Sequence, residues 1–399
     1  MTLTRREALA ALAVPAAAQN AGPPTIAGIE QTVFWPNLDG KGQTWFHPRI
    51  CRIPGSPPKL LMTLQGITGS DYFHPVQWSE SVDLGRTWSE PKPVPGMGRH
   101  ATADGMEEGY CDTVPEYHAR TGSVIAMAHN VFYRGGKLAR PNDGRFAVYT
   151  VRDKDGKWGP VRRLEWVYPD ASAIYTSNCS QRVTLPDGDV LVPLTFGPLG
   201  RADRGVCSVR CSFDGRELKI VHMGNTLRCS VGRGLLEPSL AQSGGVFYMT
   251  IRAENGQGFA TSSKDGLNWN PMTAWAFDDG EPVAMSTTQQ HWLTHSGRLF
   301  LVYTRRDAIN KNVVRWRAPL WAAAVDTRKL TLIRATERVV IPMSGDGVRD
   351  GANVEHQGNF HTTAVSADES LVSTGTVTTT RWTGAVRIAR IRWSRASVL

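Results

Sequence analysis

One pattern recurs six times along this chain and limits its fold more than any other feature. Each copy is a stretch of alternating apolar and polar residues, a short turn and a second such stretch, which is typical of a β-hairpin. The copies span residues 48–65, 115–133, 180–197, 237–254, 290–306 and 360–376, with turns near residues 56, 121, 187, 244, 297 and 368. Hairpins that recur every roughly 50 to 70 residues are typical of propeller blades. The sequence therefore predicts an all-β fold, a six-bladed β-propeller.

A second motif, SVDLGRTW at residues 81–88, lies between the first two hairpins. Its Ser, Asp and Thr side chains can hydrogen-bond turn amides, and its Gly supplies the positive φ that such a turn needs. Weaker copies at residues 151–158, 211–218 and 262–269 keep the Asp-Gly turn. We expect these motifs to form the turns between the outer strands of blades.

The N-terminal residues predict export. Arg5 and Arg6 precede a short apolar run that ends in small residues, as in cleavable signal peptides. The paired arginines resemble a twin-arginine signal, which directs folded proteins across the bacterial inner membrane. We therefore expect a signal peptide at residues 1–19, one propeller domain at residues 25–399, and a periplasmic or secreted location. No later segment reaches the roughly 18 apolar residues of a membrane span, so we expect no membrane insertion.

Charge and cysteine usage narrow the class of ligand. The formal net charge is +9, and the basic residues are scattered rather than clustered as in a nucleic-acid-binding tract. This charge agrees with an acidic ligand and equally with a soluble basic protein. Six cysteines in an exported chain permit disulfides, but no CxxC pair or Cys/His cluster in the sequence indicates zinc. We expect no nucleic-acid partner, no metal and no cofactor.

Polar residues begin several of the predicted inner strands, where apolar residues are the norm. In a propeller the innermost strands converge on the central channel, so residues that enter these strands face one pocket. The residues that lie at similar distances before the hairpin turns are Arg49, Gln181, Glu237 and His291, with Asn359 slightly further out. The sequence thus predicts one polar site at the mouth of the axis.

The motif S-x-D-x-G-x-T-W resembles the Asp-box of sialidases and their six-bladed relatives. All five of its fixed positions match, namely Ser81, Asp83, Gly85, Thr87 and Trp88. Asp-boxes lie away from the propeller axis and occur in many proteins that cleave nothing. The resemblance therefore indicates the scaffold, and the activity has to be inferred from residues at the axis.

The same resemblance implies roles at the axis. In sialidases the arginine of an Arg-Ile-Pro motif binds the substrate carboxylate, and this chain offers Arg49 in RIC and Arg52 in RIP. We choose Arg49, because it is as far from its turn as Glu237 is from its own. The resemblance also implies an acid/base aspartate in the loop before the first Asp-box, which is Asp71 here.

Two further elements of the sialidase pattern lie later in the chain. The hairpin EPSLAQSGGVFYMTIR resembles one in which a glutamate opens the inner strand and an arginine closes the next, which gives Glu237 and Arg252. A third arginine is offered by Arg315 and Arg317, of which we favour Arg317. Three guanidinium groups can hold one carboxylate, while an acid tuned by its surroundings protonates the leaving oxygen.

The chain departs from the sialidase pattern at the nucleophile. Sialidases use a tyrosine at the entry to the last blade, but the corresponding stretch here carries Asn359, Phe360 and His361. A tyrosine from elsewhere, such as Tyr303 or Tyr133, would have to reach the site. Six histidines near strand ends offer proton transfer instead, namely His47, His74, His118, His129, His291 and His361.

The sequence as a whole predicts an exported, sialidase-like glycoside hydrolase that releases a terminal acidic sugar from glycans. Arg49, Arg252 and Arg317 would bind the carboxylate, with Gln181 and His291 in the same substrate site. Asp71 would be the acid/base, and Glu237 would act as a base toward water or another nucleophile. The alternatives are a polysaccharide lyase acting on uronic acids, a non-catalytic glycan-binding propeller, and a protein-interaction propeller with apolar access to its axis.

Overall fold

Short, mostly antiparallel strands account for almost all regular structure in the computed structural model, which describes residues 22–139, 143–200 and 203–397. The predicted signal peptide at residues 1–19 lies outside these residues. The helical elements described are five single 3₁₀ turns, at Pro169–Ala171, Ala308–Asn310, Val314–Trp316, Arg334–Thr336 and Gly351–Asn353. The part of the chain that the structure describes contains no helix long and apolar enough to span a membrane.

The strands are, in chain order, β1 (Ile26–Asn37), β2 (Thr44–Ile53), β3 (Lys59–Gly69), β4 (Tyr72–Phe73), β5 (Gln77–Ser81), β6 (Lys92–Pro93), β7 (His100–Ala101), β8 (Glu107–His118), β9 (Ser123–Arg134), β10 (Lys137–Ala139), β11 (Arg145–Arg152), β12 (Arg162–Arg163), β13 (Ile174–Thr176), β14 (Val183–Thr184), β15 (Val190–Gly197), β16 (Gly205–Phe213), β17 (Leu218–Met223), β18 (Leu227–Arg228), β19 (Leu235–Ser243), β20 (Val246–Ala253), β21 (Gly258–Ser263), β22 (Thr273–Ala274), β23 (His291–His295), β24 (Arg298–Tyr303), β25 (Leu320–Asp326), β26 (Thr331–Leu332), β27 (Arg338–Ile341), β28 (Phe360–Ala364), β29 (Glu369–Gly375) and β30 (Gly384–Trp393).

The six predicted hairpins are all present as antiparallel pairs. They are β2–β3, β8–β9, β14–β15, β19–β20, β23–β24 and β28–β29. Their turns fall where the sequence predicts them, because the breaks between apolar stretches are occupied by short loops rich in Gly, Pro, Asp and Ser. The all-β propeller arrangement is therefore confirmed.

Hydrogen bonding divides the described strands into five sheets rather than six. Four of them have the size of a single blade: β2–β6, β19–β22, β23–β27, and β28–β30 together with β1. The fifth has twelve strands, because β13 pairs in parallel with β11 and antiparallel with β15. The predicted set of six separate blades is thus not found as six sheets.

The two ends of the propeller meet in one sheet. Strand β1 pairs with β30 over most of its length, from Ile26 opposite Trp393 to Asn37 opposite Gly384. The N-terminal strand thereby becomes the outer strand of the sheet that holds the last hairpin. Because this pairing joins positions more than 300 residues apart in sequence, it closes the ring of sheets.

The core consists of apolar layers between neighbouring sheets. One layer joins β9 and β11 to β15 and β16, with Met127 and Leu194 both fully buried. Another joins β20 to β24 and β25, with Trp292 and Leu301 at its centre. Full burial of a large apolar side chain contributes roughly 1.5–3 kcal/mol, so these layers stabilise the fold. All six cysteines are free thiols and five of them are buried.

The SVDLGRTW motif forms the turn that its residue types predict. The Asp83 carboxylate accepts hydrogen bonds from Ser81 Oγ at 2.7 Å and from Thr87 Oγ1 at 2.6 Å, and the amide of Gly85 donates to Ser81 Oγ. The turn follows β5 and leads to β6, the two outer strands of their sheet. Ser263 and Asp265 make equivalent bonds after β21. These motifs therefore lie at blade edges.

Candidate functional site

A cavity of about 490 Å³ opens where the inner strands begin, and we call it the arginine cavity. Its charged lining residues and histidines are Arg145, Arg204, Arg233, Arg252, Arg315, Arg317, Asp71, Asp112, Glu237, Glu254, His47 and His129. Six arginines against four acidic side chains leave a positive excess. This excess favours an anionic ligand.

Left-handed backbone positions direct side chains into this cavity. His47, Asp112 and Glu237 have φ of 53°, 56° and 48°, and each lies at a register shift in its inner strand, β2, β8 or β19. Asn178 has φ of 44° just after β13. A non-glycine residue in this conformation is strained, and a bulge re-aims the side chain that it carries. Strain repeated at four equivalent points is typical of a functional site.

Glu237 and Arg252 form the central ion pair. Arg252 Nη1 donates to Glu237 Oε1 at 2.5 Å, and its Nη2 donates to Thr287 Oγ1 at 3.1 Å. The amide of Glu237 donates to Thr195 Oγ1 at 2.9 Å, which fixes the bulge. Within the described residues, Glu237 Oε2 accepts no hydrogen bond. One carboxylate oxygen is therefore held, and the other faces the cavity.

Arg317 contributes a buried positive charge to the wall of the cavity. Among the described residues, its guanidinium forms no ion pair, and its Nε has no hydrogen-bond partner. Burial, together with the guanidinium groups of Arg252 and Arg315, lowers the pKa of Arg317 to about 9. Gly358 leaves room for the side chain, since a Cβ there would lie 2.4 Å from Arg317 Cδ. The guanidinium groups of Arg252, Arg315 and Arg317 thus line the same part of the arginine cavity.

Asp112 is held ionised by two buried neighbours. Its Oδ1 lies 3.1 Å from Arg49 Nη2 and 3.4 Å from His47 Nε2. Burial by itself would raise the pKa of this carboxyl group, but His47 and Arg49 together lower it well below its usual range. The side chain remains 20% exposed on the cavity side. Asp112 therefore presents a fixed negative charge to the cavity.

A thiol and an imidazole lie beside Asp112. Cys111 Sγ is 3.1 Å from His129 Nε2, and the Arg145 guanidinium also donates to this nitrogen. Burial, reinforced by Arg145, lowers the pKa of His129 to about 3, so its imidazole is neutral near pH 7. The donor atoms of Cys111, Asp112 and His129 lie within 4.8 Å of one another. This group could hold a metal ion.

The structure brings together eight of the residues singled out from the sequence. The residues that line the arginine cavity are His47, Asp71, His129, Glu237, Arg252, Arg315, Arg317 and Asn359. Asp71 lies in the tight turn between β3 and β4, with φ of 55°. Their proximity is a structural finding, while their roles in binding or catalysis stay predictions.

Three other predicted site residues lie elsewhere. Arg49 is fully buried and donates to the carbonyl oxygen of Phe360 as well as to Asp112. His291 is also fully buried, and its Nδ1 lies 3.0 Å from Ser239 Oγ. Gln181 lines a separate groove at the other end of the axis. The expectation that all of them meet at one mouth is therefore wrong.

The error comes from counting back from the turns. The β2–β3 connection spans residues 54–58, whereas the β19–β20 connection spans only 244–245. In the actual register Arg49 pairs with Thr63, as Ser239 pairs with Thr250. The counterpart of Glu237 is accordingly the bulge residue His47, two positions before Arg49.

Sequence reasoning missed Asp112, Cys111, Arg145, Arg204 and Arg233 as cavity residues. One local signal was available for the bulges, since His47 and Glu237 each precede a proline inside a strand. Proline in a strand is confined to edges, first positions and bulges. No comparable signal marks the missed arginines: Arg145 begins β11, Arg204 lies just before β16, and Arg233 lies in the turn before β19.

No tyrosine is among the described residues that line the cavity. Tyr303 is fully buried between sheets, where its hydroxyl contacts Glu337. Tyr133 is also buried, and its hydroxyl accepts from the amide of Phe73 at 3.2 Å. Neither side chain supplies the nucleophile that a sialidase mechanism would need.

Comparison with known proteins places this architecture in a structural class. No protein-family model and no curated protein matches the chain. Among solved structures it is similar to a protein of unknown function from Dyadobacter fermentans, at 13% identity and a TM-score of 0.62, over 92% of this chain and 100% of that one. It is also similar to Trypanosoma rangeli sialidase, at 13% identity and a TM-score of 0.61, over 91% of this chain and 59% of that one. The Hadza microbial sialidase Hz136 matches at 14% identity and a TM-score of 0.60, over 88% and 66%.

These likenesses define the fold. The chain has a sialidase-like β-propeller fold and spans about three fifths of the length of the trypanosomal enzyme. Sequence identities of 13–14% leave the activity open, so the function has to be argued from the arginine cavity.

Proposed function

We propose that the arginine cavity binds the carboxylate of a terminal acidic sugar and that the protein hydrolyses the glycosidic bond of that sugar. The observation that carries this proposal is the unpaired guanidinium of Arg317 beside Arg252 and Arg315. A buried arginine that forms no ion pair within the described residues, such as Arg317, is stabilised by an anion, and planar carboxylates fit guanidinium groups bidentately. Arg49 is not part of this clamp, because it is fully buried on Asp112.

The carboxyl groups of the cavity supply the remaining chemistry. Asp71 protonates the glycosidic oxygen as the bond breaks, and Glu237 Oε2 removes a proton from the water that attacks the anomeric carbon. This division between acid and base is typical of hydrolysis without a covalent intermediate. It needs no tyrosine, in agreement with the residues that line the cavity.

The test is a comparison of acidic and neutral substrates with a matched pair of arginine variants. The purified protein is incubated with sialosides, uronate-containing oligosaccharides and neutral oligosaccharides, and released sugars are followed by mass. Arg317→Met should lower kcat/KM for the acidic substrate by about 100-fold, as loss of one charged hydrogen-bond donor does in other sites. Arg216→Met, on an exposed turn away from the cavity, should change it less than about 2-fold. Equal losses on acidic and neutral substrates would disprove the carboxylate clamp.

A second candidate is a lyase that acts on uronic acids. It is favoured by the imidazoles of His47 and His129, which line the cavity beside arginines that could neutralise a uronate carboxylate. A lyase leaves a carbon–carbon double bond in its product, which absorbs ultraviolet light. Absorbance without hydrated sugar in the same incubations would select this candidate over the hydrolase. A third outcome, binding without turnover, would make the protein a glycan-binding propeller.

We also propose that the ring has six blades, with the twelve-stranded sheet counted as two. Six short stretches of inner strand line one groove at the far end of the axis: residues 50–54, 115–117, 181–184, 240–242, 292–294 and 361–364. Six strands around one groove support six repeats, two of which the short strand β13 joins.

We further propose that the chain is exported through a twin-arginine signal and that SVDLGRTW is an Asp-box. Fractionation of cells that express the full chain tests the export.

A further inference from the structure

Four side chains of metal-ligating type meet on the wall of the arginine cavity. The donor atoms of Cys111, Asp112 and His129 all lie within 4.8 Å of one another. His47 lies beside this group of three, with its Nε2 3.4 Å from Asp112 Oδ1, and would be the fourth ligand once its side chain turns toward Cys111 and His129. The set therefore offers one sulfur, two nitrogens and one carboxylate from three strands.

The fold builds this group through its bulges. Cys111 pairs directly with His129 across β8 and β9, so their side chains share one face. The bulge that follows lets Asp112, the next residue, turn to the same side. The equivalent bulge on β2 brings in His47. A backbone that strains twice to bring four donors together indicates a built site.

Burial holds the donors in place. Cys111, His129 and His47 are each no more than 2% exposed, whereas the Asp112 side chain is 20% exposed toward the cavity. The group is thus fixed from behind and open on one side. This is the arrangement that an ion needs for entry, and it limits the rotations that ligands would have to make.

We propose that Cys111, Asp112, His129 and His47 bind one Zn²⁺ ion. Zinc prefers tetrahedral sites with sulfur and nitrogen donors, at bond lengths that put donor atoms roughly 3.3–3.8 Å apart. Cys111 Sγ and His129 Nε2 already lie 3.1 Å apart, and the donor atoms of these two residues and Asp112 lie within 4.8 Å of one another, so three of the four ligands are close to their places. On binding, the Cys111 thiol loses its proton to solvent and becomes a thiolate ligand, and the thiolate and Asp112 together balance the charge of the ion.

Two arginines adjoin the zinc site, and each of them contacts one of its ligands. Arg49 holds Asp112 through Oδ1, which leaves Oδ2 for the ion. Arg145 donates to His129 Nε2, the atom that the ion would use. Zinc and the Arg145 guanidinium therefore compete for one nitrogen. Removing this guanidinium should therefore raise the affinity of the site for zinc. If Arg145 is instead the cation that holds these side chains together, the cluster would not be stabilised by zinc.

The ion would have two consequences for the protein. It would link β2, β8 and β9 where two of the bulges strain the backbone, and so raise the thermal stability of the folded chain. It would also add a cation to the wall of a cavity that already favours anions. The inference does not depend on the proposed hydrolase activity, because metal binding can be measured without a substrate.

The test is titration of the EDTA-treated, purified full chain with Co²⁺ and then Zn²⁺. We expect one Co²⁺ per chain, a near-ultraviolet thiolate-to-cobalt absorption, loss of this absorption on adding Zn²⁺, and a higher Tm with Zn²⁺. Cys111→Ser should abolish the absorption and weaken zinc binding by more than about 100-fold. Cys51→Ser, a buried thiol at the opposite end of the axis, should leave both unchanged.

Two further variants keep the result decisive if Cys111→Ser folds poorly. His47→Gln should retain the thiolate absorption with weaker binding, by about 10-fold or more. Arg145→Gln should bind zinc more tightly than the natural chain. Absence of the cobalt absorption in the natural chain overturns the proposal, and so does absorption seen only in Arg145→Gln, since Arg145 would then be the cation of this group.

Discussion

The two ends of the propeller axis are formed by the same inner strands but differ in chemistry. At the entry end lies the arginine cavity, with its bulged residues and its cluster of guanidinium groups. About three residues further along each strand lies the far groove, whose charged lining residues are Arg52, Glu116 and Arg182. A buried layer that includes Arg49 and His291 separates the two.

Strand β8 shows the contrast within a single element. Asp112, at the cavity end, and Glu116, at the groove end, each face a buried arginine, at 3.1 Å and 3.5 Å. The pKa of Asp112 is lowered well below its usual range, whereas burial raises the pKa of Glu116 despite the attraction of Arg182. The carboxyl group at the cavity end is therefore held in its charged form, whereas the one at the groove end takes up a proton more readily.

The largest expected effect separates the two carboxylates by activity. Glu237→Gln should lower kcat/KM on the acidic substrate by about 1,000-fold, because a positioned general base contributes that order of rate. Glu116→Gln removes a carboxylate at the other end and should change kcat/KM by less than about 2-fold. Initial-rate measurements on both variants check this. Comparable losses would show that the groove takes part in the reaction.

The next effect separates the two buried arginines by stability. Arg49→Met leaves the Asp112 charge without its guanidinium partner, and should lower the free energy of unfolding by about 3–5 kcal/mol. Arg182→Met should cost about 2 kcal/mol, because Glu116 takes up a proton more readily than Asp112. Urea unfolding of both variants measures the difference. If Arg182→Met proves the more harmful, the assignment of fixed charge to the cavity end is wrong.

A smaller effect tests the room left for Arg317. Gly358→Ala brings a Cβ to 2.4 Å from Arg317 Cδ and should displace the guanidinium, lowering kcat/KM by about 10-fold. The control is Gly28→Ala on β1, where an added Cβ meets nothing within 4 Å. Neither change should shift Tm by more than a few degrees. An unchanged kcat/KM in Gly358→Ala would remove Arg317 from the substrate site.

The smallest effect is a pH dependence of stability at the groove end. Because the folded-state pKa of Glu116 is raised above its ordinary value of 4.5, its favourable contribution is complete below that value and is lost as pH rises through the folded-state pKa. Glu116→Gln should therefore gain stability relative to the natural chain between acid and neutral pH, by less than about 1 kcal/mol. Tm measured across this range checks the sign, and a relative loss would contradict it.

Local sequence signals predicted much of the fold. Alternation of apolar residues and short polar breaks gave all six hairpins, because a strand that covers a blade face and a tight turn are set by neighbouring residues. The turn at Ser81–Trp88 was predictable for the same reason. The joining of two blade-sized groups of strands through β13 could not be predicted from the sequence. The pairing of β13 with β11 connects residues about 30 positions apart, and no distinctive sequence pattern marks it.

The site was predicted only in part. Glu237 and Arg252 belong to one hairpin, so their pairing could be inferred from its two strands. Arg49 was placed wrongly, because loop length and bulges shift the register in ways that a count of residues does not show. His47, Cys111, Asp112 and His129 come together only through two bulges and three strands.

By itself the sequence determined the repeat, the turns and the residue types available at the axis, because these depend on contacts between near neighbours in the chain. The tertiary structure decided which polar side chains share a cavity, since this depends on register, on left-handed bulge positions and on closure of the ring by β1 and β30. A chain of hairpins specifies its strands locally, but the mouth of its axis exists only once the ring has closed.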